Sequence, residues 1–167
     1  MAAIRRDVSR QSTPLRVQVG RAIVALGLGA GLDGRWNVHI TGTDVAENDG
    51  LVTVTVGDPA ERLVVVRDEF ADELLDLAAQ AGSGRLVAGS TSKNAAAKAA
   101  GRVVIDQGHI SLSAKRLRST WLLVHLANQI PLPVLLAAAG LQSLASLSDL
   151  VPFLDDDGDP AEFLRGA

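Results

Sequence analysis

The sequence predicts an α+β domain, mainly α: a helical bundle carrying a small antiparallel hairpin or three-stranded sheet. Three observations point there. Over residues 113–154 apolar side chains recur at helical spacing, with Leu117, Trp121, Leu122, His125 and Leu126 on one stripe. Over Leu51–Val56 apolar and β-branched residues alternate at period two, the signature of a strand. At 167 residues, 47% of them hydrophobic and 21% charged, the chain is long and apolar enough for one folded core.

Taken in order, residues 1–12 are polar and basic and read as a flexible basic arm. Ser12 or Thr13 caps a helix with Pro14 just inside it. Val17, Ala22, Ile23, Leu26 and Leu28 give that helix its apolar face through Gly29. Residues 44–50 read as a polar turn, 51–56 as a strand, 57–60 as a turn and 62–66 as the partner strand. Two strands alone are marginal, so the hairpin must pack on helices or gain a third strand. Residues 67–81 read as an acidic amphipathic helix with Phe70, Leu74, Leu75 and Leu77 inward. A short strand at 85–88 and an alanine-rich helix at 93–104, capped by Thr91 or Ser92, follow.

Residues 113–154 then divide into three helices. Pro131 and Pro133 open the second, because proline starts a helix but interrupts a continuing one. Gly140 ends it in the left-handed region. Ser143 caps a third that runs to about Leu150, before Pro152. Residues 13–154 are thus one domain, and 155–167 an acidic tail with a weak docking segment around Phe163 and Leu164.

Composition removes several functions. The chain has no cysteine, so disulfides and thiolate metal sites are excluded. No apolar run reaches the ~18 residues of a spanning helix. Residues 22–32 imitate a signal-peptide core but read as a core helix, which leaves a cytoplasmic protein with no membrane contact as the expectation. His39, His109 and His125 lack metal-ligand spacing, so neither a metal nor a cofactor is expected, and His125 belongs at the edge of the core. Net charge is −3, but it is segregated: residues 36–82 hold ten acids against two bases, and residues 83–120 seven bases against Asp106. A local basic face, not the net charge, decides contact with a polyanion.

Two motif-like stretches have weaker claims. Gly27, Gly29 and Gly31 after an apolar run imitate a dinucleotide turn, with Asp44 at a tolerable distance for a ribose acid, and a nucleotide-binding enzyme is one alternative reading. The residues that follow are too short and β-branched for the long helix such a site needs. Residues 135–150 imitate a helix-turn-helix, but the second helix has no Arg, Lys, Asn or Gln to read bases.

The C-terminal third resembles the catalytic domain of tyrosine recombinases, the phage-integrase and Xer-type family. In that family a His-x-x-Arg-His-Thr run opens a helix; Lys115, Arg116, Leu117, Arg118, Ser119 and Thr120 stand there. Gly140 and Leu141 fall on the family's Gly-His turn, Ser143 and Leu144 on the run after it, and Leu150 on the nucleophilic tyrosine. Upstream, residues 30–36 and 43–45 align with the Gly-Leu-Arg-x-x-Glu segment and its closing Asp-Ile, so Asp33 falls on the first arginine and Trp36 on the glutamate. The similarity covers roughly 14–154.

That resemblance implies phosphoryl transfer on DNA, but few of its groups are present. Arg118 matches the second arginine and Lys115 the neighbouring Lys or His position. Arg35 is a nearby substitute for the lost first arginine, and Arg62 a loose stand-in for the hairpin lysine. The chain has no tyrosine to form a phosphotyrosyl bond. The expectation is a catalytically inactive recombinase-like domain, a weak, non-specific DNA accessory. Its phosphate contacts would be Arg35, Lys115, Arg116, Arg118, Lys93, Lys98 and Arg102. The main alternative is a protein–protein interaction or structural module without DNA contact, with a protein partner or a homo-oligomer as its assembly.

Overall fold

The computed structural model describes residues 2–57, 61–87, 91–92, 94–103 and 112–154. In chain order they build α1 (Ala2–Ser9), α2 (Pro14–Val24), a π-helical turn (Ala25–Gly29), α3 (Gly34–Asn37), a 3-10 turn (Gly42–Asp44), β1 (Val45–Asn48), β2 (Leu51–Val56), β3 (Arg62–Val65), α4 (Asp68–Ala81), α5 (Ala95–Gly101), α6 (Ala114–Ala127), α7 (Leu132–Ala139) and a 3-10 segment (Leu144–Phe153). The three strands form one antiparallel sheet in the order β1-β2-β3. The architecture is α+β and mainly α, as the periodicities require.

The core forms where α6 lies against the π-helical turn that ends α2. Trp121 is 2% exposed and its ring packs on the backbone of Gly31, where an added Cβ would come within 2.4 Å of the ring. Gly31 also has φ +63°, so a side chain there would be both strained and obstructed. Gly27 sits as tightly on Leu117, and Gly29 on Phe70. This corrects the nucleotide reading. All three glycines are buried, and they let helices approach rather than open a phosphate loop.

Four other expectations change. Residues 1–12 are not a free arm: α1 packs on α2, with Val8 2% exposed and Ile4 one helical turn before it, also against the core. Arg5 ties α1 to α4 through Glu73 and the Glu69 carbonyl. The stretch read as a polar turn supplies β1, the third strand of the sheet, while in the stretch read as a short strand Arg85 makes only an isolated bridge to Thr41. Asp49 and Gly50, at φ 51° and 78°, form a two-residue hairpin loop between Asn48 and Leu51. The third C-terminal helix is 3-10 throughout, which removes the helix-turn-helix. The acidic tail at 155–167, His109 and Lys93 lie outside the described residues.

Other elements follow the sequence closely. Thr13 caps α2, its hydroxyl accepting from the Arg16 N–H. Phe70, Leu74 and Leu77 bury one face of α4, and Gly140 closes α7 at φ 64°. Among the described residues no single helix is long and apolar enough to cross a membrane.

Candidate functional site

The first turn of α6 sorts its cations by direction. Leu117 and Trp121 point into the core, so Lys115 and Arg116 face outward and both are exposed. Arg118 stands on the flank between these faces and is half-buried. Its guanidinium donates one N–H to the Gly31 carbonyl at 2.6 Å and another to the Ala139 carbonyl, also at 2.6 Å. One fork thus joins α6 to the loop after the π-helical turn and to the end of α7.

Arg62 reaches the same helix end from β3, donating to the Ala138 carbonyl at 3.0 Å. Gly140 leaves room for it: a Cβ there would fall 2.8 Å from the guanidinium. Two cations therefore cap the last carbonyls of α7, the negative end of its dipole. Burial pulls the Arg118 guanidinium below its ordinary value, and Asp33 opposes that shift. For Arg62 burial acts first, the Arg118 charge adds to it, and Asp33 again opposes. Arg67 repeats the pattern, donating to the Leu28 carbonyl at 3.2 Å beside its ion pair with Glu69.

Asp33 caps α3, its carboxylate accepting from the Arg35 N–H at 2.9 Å. That helix carries Arg35 and Trp36, and the guanidinium carbons of Arg35 and Arg62 each lie 5.2 Å from the Trp36 ring centre. Arg35 is exposed.

Asp33, Arg35, Lys115, Arg116 and Arg118 line one cleft of about 980 Å³. Its apolar wall includes Leu141, Leu150 and Phe153. Positions as far apart as 33 and 150 thus converge on one concavity. Lys98 and Arg102 do not join them. Both are exposed and line a separate cleft of about 480 Å³ with Arg16. Arg118 is brought to the cleft with two of its donors on backbone carbonyls. Among the described residues no group of three or more His, Asp or Glu stands where it would hold a metal. The carbonyl-capping role of Arg62 and Arg67 was missed. Nothing in the sequence signals it, because their acceptors lie 39 to 76 residues away.

The fold resembles that of the recombinase catalytic domain. Two solved structures that it resembles are complexes of the XerH site-specific recombinase. One is bound to palindromic difH substrate after cleavage, with TM-score 0.66 over 99% of this chain and 49% of that one. The other is the pre-cleavage complex with difH substrate, with TM-score 0.68 over 99% and 50%. Identity is 14% in both, so the likeness is one of fold, and this chain spans about half the length of those proteins. No family model matches the sequence, and no curated protein matches it.

Proposed function

We propose that this chain is a recombinase-fold domain that has no strand-transfer chemistry and contacts DNA through its phosphates. The observation that carries the reading is the shared cleft: Arg35 and Lys115, 80 residues apart in sequence, line it together with Arg116. All three are exposed cations, and Lys115 and Arg116 stand in the first turn of α6, whose N–H groups and dipole favour anions. The neighbouring structures are of a recombinase bound to its DNA substrate, which agrees with this choice of ligand.

The loss of chemistry follows from the same residues. Phosphotyrosyl transfer needs a phenolic oxygen, and Leu150 stands at the nucleophile position in a chain without tyrosine. Charge growing on phosphate oxygens needs donors aimed at it. Here the acid Asp33 replaces the first arginine, Leu141 offers no proton, and Arg118 spends its fork on carbonyls. No side chain set in the cleft resembles a base reader, so binding rests on counterion release and is non-specific.

A salt-dependent DNA titration tests this. The expected affinity is on the order of 10⁻⁴–10⁻⁶ M at physiological salt, tightening as salt falls. Arg35→Ala, Lys115→Ala and Arg116→Ala together should remove most of it. Parental binding that is absent at low salt, or unchanged in the triple variant, would transfer the cleft to a protein partner. A covalent adduct on a suicide DNA substrate would refute the inactive reading.

A further inference from the structure

We propose that the cleft is a docking site for the chain's own acidic segment, residues 155–162, which competes there with DNA. The inference rests on the phosphate-binding reading and adds its regulation. Three observations support it. The segment holds Asp155, Asp156, Asp157, Asp159 and Glu162 with no base among them. It begins directly after Leu154, and Phe153, one residue earlier, lines the cleft. The segment therefore leaves the fold at the lip of the concavity that carries Arg35, Lys115 and Arg116.

Reach and charge agree with this exit point. Eight residues span up to roughly 28 Å when extended. A cleft of about 980 Å³ is on the order of 10 Å across, which is within the span of the first few residues of the segment. Four cations line the cleft against Asp33 and Asp149, and the Asp33 carboxylate already accepts from the Arg35 N–H. Phe153, 70% exposed, adds an apolar seat at the lip. Covalent attachment supplies the rest. A tethered competitor acts at an effective concentration in the millimolar range, so individually weak carboxylate–cation pairs suffice to fill the site. DNA bound through a few phosphates at micromolar or weaker affinity is a ligand such a segment can displace.

The test uses the full chain. One variant carries Asp155→Asn, Asp156→Asn, Asp157→Asn and Asp159→Asn. A control carries Glu47→Gln, Glu61→Gln, Asp72→Asn and Asp76→Asn, four exposed acids elsewhere, and changes net charge equally. At low salt the tail variant should bind a DNA duplex on the order of tenfold more tightly than the parent, and the control under about threefold. Independently, zero-length carbodiimide coupling joins carboxylates to amines. The chain has three lysines, Lys93, Lys98 and Lys115, so mass spectrometry of the monomer reads the docking site. Amide links from residues 155–162 to Lys115 within one chain are expected. Links only to Lys93 or Lys98, or only between two copies, would overturn docking, as would equal DNA affinities in the two variants where DNA binds. If no form binds DNA while the Lys115 link is present, docking stands and the DNA reading fails.

Discussion

Less than one turn of α6 separates two kinds of cation. Lys115 and Arg116 are exposed beside the cleft, and among the described residues no fixed acceptor holds them. Arg118 is half-buried with its donors on Gly31 and Ala139, in the company of Arg62 on Ala138 and Arg67 on Leu28. The inner set closes carbonyls that the π-helical turn and the end of α7 leave without helical partners. The outer set has no such duty. A cation's availability to a ligand is therefore decided by the carbonyls within its reach, not by its place in a basic run. An inward arginine contributes to stability, and an outward one to the field that a polyanion meets.

The largest test of the inner region is Trp121, against which Gly31 and α6 are built. Trp121→Ala should cost ~3–5 kcal/mol, the range of large-to-small core changes. A shift in denaturant midpoint equivalent to less than ~1 kcal/mol would place the packing centre elsewhere. Next is Arg118→Met, which keeps the aliphatic stem and removes the fork. Two buried-side carbonyls then lose charged donors, at a cost of about 1.5–3 kcal/mol. Stability within ~0.5 kcal/mol of the parent would break the distinction between inner and outer cations.

His125 gives a smaller effect that shows as a slope. It packs edge-on to Trp121 at 4.4 Å, and burial, then the Arg67 charge, push its imidazole below its ordinary value. The unfolded chain takes up that proton first as pH falls through about 6.5. Stability from this group is thus fully present above that pH and declines below it. Urea midpoints measured at pH 7.5 and 5.5 should converge in His125→Asn relative to the parent. An unchanged difference would show that the imidazole is as free as in the unfolded chain.

The sequence displayed the apolar stripes well, because burial along one helix or strand repeats at a fixed period. The α2, α4, α6 and α7 helices and the β2–β3 pair all follow from it. What was illegible depended on partners distant in sequence. Nothing near Arg118 announces Gly31 or Ala139 as acceptors, and nothing in residues 1–12 announces that the Arg5 guanidinium crosses Phe70 at 4.6 Å. The four-residue spacing of Ile4 and Val8 was a usable signal for α1. Asp49-Gly50 was a stronger one for the hairpin that makes β1, since that pair tolerates positive φ at both loop positions. In the cleft, helical phase already separated Lys115 and Arg116 from Leu117. Lys98 and Arg102 were grouped with them by charge count alone, which carries no direction.

The smallest stability effect is expected in the outer set, and it carries the sharpest functional contrast. Lys115→Ala with Arg116→Ala removes two exposed charges from the cleft. Lys98→Ala with Arg102→Ala removes two from the separate cleft beside Arg16. Among the described residues both pairs lack fixed partners, so each double variant should unfold within ~0.5 kcal/mol of the parent. Their effects on DNA should differ. Each phosphate contact contributes about 0.9 to the slope of log affinity against log salt. Loss of Lys115 and Arg116 should therefore reduce that slope by up to about two, while loss of Lys98 and Arg102 acts only through a field that salt screens over ~10 Å at 0.1 M. Equal reductions in the two variants would mean that binding senses the whole basic stretch from 83 to 120 as a diffuse charge. A reduction confined to the first pair makes the cleft the place where phosphates are held, with Arg118 beside it bound to carbonyls instead.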